Sequence, residues 1–189
     1  MLLQIVIAST RPGRIGPVVG DWFTEVAKAH GGFEVEVADL GVLDLPFHDE
    51  PAHPMTGVYE HQHTKDWSAI VARSDAFVFV LPEYNHSFSA PLKNALDYLN
   101  REWAYKPVAF VSYGGISGGM RAVSMLKQVV ATLRMVPLVD AVTIPMVRTL
   151  IDDEGFHPTQ IIADSATVVL DELAKLAPAL ATVRTATAG

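Results

Sequence analysis

The sequence predicts an α/β fold, a doubly wound parallel sheet of five strands covered by helices on both faces, three layers in all. Three observations predict it. Short apolar runs alternate with longer segments whose apolar residues recur every three to four positions, the alternation that builds βαβ units. The run Ala76-Phe77-Val78-Phe79-Val80-Leu81 is apolar at every position, as a strand buried on both faces must be. Polar or glycine-rich turns follow the first, third and fourth such runs, where the strand ends of an open α/β sheet meet ligands.

The elements follow in order. Leu3 to Ala8 reads as the first strand, and Ser9 to Gly16 as a loop with Pro, Gly and two Arg. Val19, Trp22, Phe23 and Val26, at i, i+3, i+4 and i+7, mark one face of the first helix. Phe33 to Leu40 alternates apolar and acidic residues, the pattern of a half-buried edge strand. Thr64 is the expected cap of a helix carrying Trp67, Ile70 and Val71. Asp75 to Leu81 is the third strand, with Pro82 ending its hydrogen-bond ladder. Ser89-Ala90-Pro91 opens a helix with a good N-cap and a proline in its first turn, striped by Leu92, Ala95, Leu96 and Leu99. Pro107 to Ser112 is the fourth strand. Ala122, Leu126, Val129, Val130 and Leu133 stripe the next helix, and Pro137 to Met146 holds the fifth strand. Ile162, Val169, Leu173, Leu176 and Leu180 face one way on a last helix, and 184–189 reads as a flexible tail after a single domain, 1–183. Right-handed βαβ units leave two strand orders, 2-1-3-4-5 or the six-stranded dinucleotide-binding order; five strands favour the first.

Composition narrows the function. With 14 Lys plus Arg against 21 Asp plus Glu, the net charge is −7. That balance argues against nucleic-acid or anionic-membrane partners, which select basic patches. The absence of cysteine excludes disulfides, thiolate catalysis and iron–sulfur clusters. No apolar run approaches the roughly 20 residues that span a bilayer, and the apolar start, Met1 to Ala8, lacks the basic segment of a signal peptide. A cytoplasmic protein is the expectation.

Three turns carry candidate chemistry. Ser9-Thr10-Arg11-Pro12-Gly13-Arg14-Ile15-Gly16 leads into a helix, where backbone N–H groups and the helix dipole make an anion site and Arg supplies a planar fork for phosphate. It matches neither Gly-x-x-x-x-Gly-Lys-Ser/Thr nor Gly-x-Gly-x-x-Gly. Pro82-Glu83-Tyr84-Asn85 offers main-chain groups, an amide and an aromatic face to a flat ligand. Ser112-Tyr113-Gly114-Gly115-Ile116-Ser117-Gly118-Gly119 lets the backbone approach a ligand closely. Each turn alone is as well read as ordinary connection. Together, on neighbouring strands, they describe a mononucleotide site: phosphate at the first turn, a planar heterocycle between the other two.

These residues resemble the NAD(P)H-dependent FMN reductase family of the flavodoxin-like fold. The resemblance is carried by the Ser9-x-Arg11 loop, Leu81-Pro82-Glu83-Tyr84-Asn85, Pro91-Leu92-Lys93-Asn94-Ala95-Leu96-Asp97, and Ser112-Tyr113-Gly114-Gly115 with Gly118-Gly119, in the family's order and over nearly the whole chain. It implies FMN as cofactor, with Ser9 and Arg11 on its phosphate, helped by Arg14 or nearby backbone at Ile15 and Gly16. It implies Pro82, Glu83, Tyr84 and Asn85 along the isoalloxazine, with Ser112, Tyr113, Gly114, Gly115 and Ser117 closing the other side. It further implies hydride transfer from NADPH or NADH through the flavin to a small-molecule acceptor such as a quinone, azo compound or free flavin. No catalytic acid or base is assigned, and no metal. Where many family members carry a second Ser and an Asn in the phosphate loop, this chain has Ile15-Gly16-Pro17-Val18. A homodimer, in some members a tetramer, is also implied. The alternatives are a flavodoxin-type electron carrier, disfavoured by Arg11 and Arg14, and a flavin-binding sensor.

Other residues are assigned by their surroundings. His48, His53, His61 and His63 fall in a long proline-containing loop, read as a lid or subunit contact in preference to a metal site. Tyr98 and Trp103 follow the stripe of the fourth helix and suggest an interface. Met120 and Met125 read as core or interface, His86 as a surface residue, and Asp152-Asp153-Glu154 as a solvated turn.

Overall fold

The structure, a computed structural model, describes residues 1–187. Its centre is a parallel sheet in which β1 (Leu2–Ile7), β2 (Glu34–Asp39), β3 (Ala76–Pro82) and β4 (Pro107–Tyr113) lie in the order β2-β1-β3-β4. The fifth place is shared by two short strands. β5 (Val136–Pro137) pairs with the start of β4 and β6 (Val142–Ile144) with its end. The expected order 2-1-3-4-5 holds, but the last strand is interrupted. Pro137 has no N–H to give a ladder, and Val139 and Asp140 turn out to solvent before β6 rejoins β4.

The helices are α1 (Gly16–His30), α2 (Leu40–Leu43), α3 (Gln62–Arg73), α4 (Ala90–Asp97), α5 (Met120–Thr132) and α6 (Gln160–Thr187). A hairpin of β7 (Ile151–Asp152) and β8 (Gly155–Phe156) stands where a plain turn is expected, its corner held by Asp152 Oδ1 accepting from Glu154 N at 2.8 Å. Alternation along the strands divides the core. Leu3, Ile5, Val78 and Val80 pack against α1 and α6, while Val6, Phe77, Phe79 and Leu81 pack against α3, α4 and α5. The helical stripes bury as their spacing requires, from Val19 and Phe23 through Leu92, Leu96 and Leu126 to Val169 and Leu173.

Several expectations need correction. Tyr98 and Trp103 are interior, at 0% and 1% exposure, so they offer nothing to an interface. Trp103 packs edge-on against Trp67, Phe77 and Phe79, and Tyr98 OH donates to Asp49 Oδ1 at 3.0 Å. Met120 and Met125 are exposed, so neither is a core residue. Thr64 does not cap α3, which begins two residues earlier behind His61 and has no side-chain cap hydrogen bond; Glu50 ties down the approach to the helix, accepting from Glu60 N (2.8 Å) and His61 N (3.0 Å). Ser89 holds the N-cap position of α4, but its hydroxyl donates across to Ala8 O at 2.7 Å, tying the end of β1 to the helix. α6 does not stop at Val183. Arg184 binds Asp75 Oδ1 (2.9 Å) and Tyr105 O (3.1 Å), and the rest of the expected tail, 188–189, lies outside the described residues.

The histidine-containing loop is fastened along α4. Pro46 O accepts from Asn94 Nδ2 (2.6 Å), His48 N donates to Asn94 Oδ1 (2.9 Å), and His63 meets Asp49 at 3.0 Å.

Candidate functional site

Parallel pairing in register brings three strand ends to one edge: Ile7 lies opposite Val80, Leu81 opposite Ser112 and Pro82 opposite Tyr113. The turns after β1, β3 and β4 therefore open side by side. Between them is a cavity of ≈ 310 Å³ lined by Arg11, Arg14, Ile15, Pro82, Glu83, Tyr84, Tyr113, Gly114 and Gly115, and by Met146, Val147, Arg148 and Thr149.

The first turn joins β1 to α1, a helix of 15 residues with no acidic residue in its first turn. Its positive end is thus unopposed. Directly beneath lie two buried hydroxyls, Ser9 Oγ and Tyr113 OH, neither with a hydrogen bond of good geometry to a protein group among the described residues. Burial pushes the Tyr113 hydroxyl up to about 12, with the Ser9 hydroxyl pulling the other way, so Tyr113 stays a donor at neutral pH. Gly16 closes over both: a Cβ there would stand 2.1 Å from Ser9 Oγ and 2.9 Å from Tyr113 OH. A buried donor without a partner costs free energy, and an oxygen-rich anion is the partner this pair and the helix end select. Tyr113, expected along the ring, thus has its hydroxyl beside the start of α1.

The two arginines of the loop differ. Arg14 forks onto Asp39 at 2.6 and 2.8 Å and donates to Ser9 O at 2.8 Å. Its hydrogen bonds and charge contact with Asp39 hold its pKa above the ordinary value. Asp39 also caps α2 through Gly41 N (2.8 Å), so this pair clamps the loop to the end of β2. Arg11 is exposed, with one 3.3 Å bond to Pro12 O. Side chains of the clamp are 19% and 18% exposed, which places its worth between the surface and buried limits. Asp39→Ala is expected to lower stability by about 1–2 kcal/mol; urea unfolding at neutral pH measures it.

In the second turn, Tyr84 and Ser87 exchange backbone bonds at 2.8 and 2.9 Å, with Asn85 (φ 49°) and His86 (φ 69°) at the exposed tip. Two left-handed residues make a tight reversal, and Asn tolerates that conformation. Asn85 shapes the turn and is not among the residues lining the cavity. Glu83 lines it, but its carboxylate points to α5, taking Arg121 Nε at 2.7 Å and Arg121 N at 3.2 Å. Burial pushes the Glu83 carboxyl up, and the hydrogen bonds of Arg121 and Ser117 with the Arg121 charge outweigh it, so it is held below the usual range.

In the third turn, Ser112 Oγ donates to Gly118 O at 2.9 Å and Gly118 N to Gly115 O at 3.1 Å. Ser112, fully buried, and Ser117, turned to Glu83, shape the turn and do not line the cavity. Gly115 faces open space.

The fourth wall, Met146 to Thr149, is absent from the expected set. Met146 N donates to Gly115 O (2.9 Å) and Val147 N to Gly114 O (3.2 Å), stitching the segment after β6 to the glycine turn. The signal was available: it is the turn at the end of the fifth strand, on the same sheet edge as the other three.

A family model for NADPH-dependent FMN reductase matches residues 1–149. An NAD(P)H-dependent FMN reductase of Schizosaccharomyces pombe is 43% identical over 147 residues, 76% of this chain and 73% of the relative. An NADPH:quinone oxidoreductase of Arabidopsis thaliana is 48% identical over 101 residues, 52% of this chain and 50% of that one. In fold, the chain matches the flavoenzyme NAD(P)H:(acceptor) oxidoreductase FerB of Paracoccus denitrificans with a TM-score of 0.74 at 20% identity, over 94% and 97% of the two chains. With the sheet order, the edge cavity and the anion seat, these likenesses agree that the chain belongs to the NADPH-dependent FMN reductase family and is an FMN-dependent NAD(P)H oxidoreductase.

Proposed function

We propose that the edge cavity seats FMN with its phosphate over the start of α1 and its ring between the turns after β3 and β4, and that quinones are among the acceptors reduced there. The pair of partnerless buried hydroxyls, Ser9 and Tyr113, beneath an unopposed helix N-terminus carries the reading. FMN bound there supplies the ring through which reducing equivalents pass from NAD(P)H to the acceptor.

The protein's own part is placement. Arg11 adds charge above the seat, while Arg14, clamped to Asp39, holds the loop in shape. Glu83 and Arg121 fix the glycine turn against the end of β3. Gly115, with open space where a Cβ would stand, leaves room for a flat ring to approach the main chain, and Tyr84 stands at the rim. Quinone as acceptor is supported by the Arabidopsis relative's activity; azo compounds belong to the same two-electron class. Homodimer assembly belongs to the proposal on the family resemblance, and the mass in solution at micromolar concentration tests it.

An absorption spectrum tests the reading. The protein with FMN should show bound-flavin bands that bleach under anaerobic NADPH and return with a quinone. Gly115→Val is expected to fold normally, because nothing lies within 4 Å of its Cβ, yet to weaken FMN binding by about tenfold or more by occupying the cavity. Unchanged affinity in that variant would move the ring elsewhere.

A further inference from the structure

Two of the arginines at the edge are already engaged. Arg14 is forked onto Asp39, and Arg121 is bound to Glu83. Arg11 and Arg148 remain, and among the described residues neither forms an ion pair with a carboxylate. Both line the same cavity from different walls, Arg11 on the β1–α1 loop and Arg148 on the segment after β6. Resting on the proposed seating of FMN, we propose that Arg148 recognises the 2′-phosphate of NADPH and so sets the enzyme's preference for NADPH over NADH.

The support for Arg148 is stiff. Val147, 4% exposed, is anchored in the core, and Thr149 N and Oγ1 both donate to Met146 O, at 2.9 and 2.8 Å. Met146 holds φ 48°, a left-handed conformation unusual for its residue type, and its N–H is fixed to Gly115 O. Strain of that kind persists where the surroundings determine it, and it gathers at ligand clamps. The backbone beneath the exposed Arg148 is therefore fixed in advance at the cavity wall, and only its own side-chain rotamers are left to order on binding.

The flavin phosphate does not call for it. That phosphate has the start of α1, the two buried hydroxyls and Arg11. The hydride donor enters from the open side, and NADPH differs from NADH by one dianionic phosphate ester. A guanidinium fork fits such a group with two parallel hydrogen bonds. An exposed contact of this type corresponds to about tenfold in affinity, enough to set a preference without making NADH inert.

The experiment compares wild type, Arg148→Ala and Arg148→Lys in three readouts. The first is KM for NADPH and for NADH. The second is FMN affinity by fluorescence quenching. The third is calorimetric binding of adenosine 2′,5′-bisphosphate against adenosine 5′-monophosphate. Wild type should favour NADPH. Arg148→Ala should lower that preference about tenfold and abolish the advantage of the 2′-phosphorylated probe, while Arg148→Lys restores part of both. An equal loss for NADPH and NADH, an unchanged preference, or a matching fall in FMN affinity would each overturn the proposal. A wild-type protein that binds no FMN would sink the flavin reading instead, and the two nucleotide probes would still decide the role of Arg148.

Discussion

Gly16→Ala should lower FMN affinity by about a hundredfold, the largest effect expected from a single added methyl group in this chain. On helix propensity alone the change should stabilise α1 by up to about 1 kcal/mol. Space decides otherwise. The added Cβ meets Ser9 Oγ at 2.1 Å, Tyr113 OH at 2.9 Å and Ile7 Cγ2 at 3.2 Å. Ser9 can turn its hydroxyl, but Tyr113 is anchored in β4 and Ile7 in β1, so the loop has to lift from the strand ends. Lifting it separates the helix end from the two hydroxyls of the proposed phosphate seat. Titration of the apoprotein with FMN measures the loss, and circular dichroism shows whether the fold survives. Wild-type affinity in a folded Gly16→Ala protein would mean that the seat lies elsewhere.

Gly119→Ala should strike the fold itself. Gly119 holds φ 90°, where a side chain is strained whatever the space. There is also no space: its Cβ would lie 2.6 Å from Ser112 Cβ and 2.9 Å from Tyr113 N, both parts of a buried strand. Backbone strain and overpacking together should cost about 3 kcal/mol or more. For a chain of this length that lowers the melting temperature by roughly 6–12 °C. Gly115→Ala in the same turn is the control, with open space around its Cβ and no positive φ. A thermal melt of the two proteins side by side checks the contrast, and equal melting temperatures would refute the steric argument.

What the residues alone revealed, and what they hid, follows from the range of the interactions. The strand Ala76–Leu81 was legible because burial on both faces forces an unbroken apolar run. The three turns were legible because their polar and glycine residues sit next to strand ends in the chain. The partner of Arg14 was not. Asp39 lies 25 residues away, and only the pairing of β1 with β2 brings it to the loop, so the sequence alone does not show that the Arg14 fork is engaged by a carboxylate. Tyr113 was read with its neighbouring glycines, yet its hydroxyl reaches Ser9, more than a hundred residues earlier. Tyr98 and Trp103 suggest an interface because α4 already has a complete apolar stripe; the sequence does not show that the chain after α4 folds inward against Trp67. Met146 to Thr149 lacks glycine and polar clustering, so its position at the end of the fifth strand is its one sequence signal; the two backbone bonds that fix it to the glycine turn leave none.

The interrupted fifth strand has a consequence for how this chain meets its own copies. An uninterrupted rim of a parallel sheet exposes a row of unsatisfied N–H and C=O groups, which another chain can extend into an aggregate. Here that rim is cut in two, with Pro137 unable to donate and Asp140 pushed outward between the pieces. On the opposite rim β2 carries Glu34 and Glu36, the latter bound by Arg73. Neither border offers a long, uncharged template, so open-ended strand addition is discouraged at both sides of the molecule.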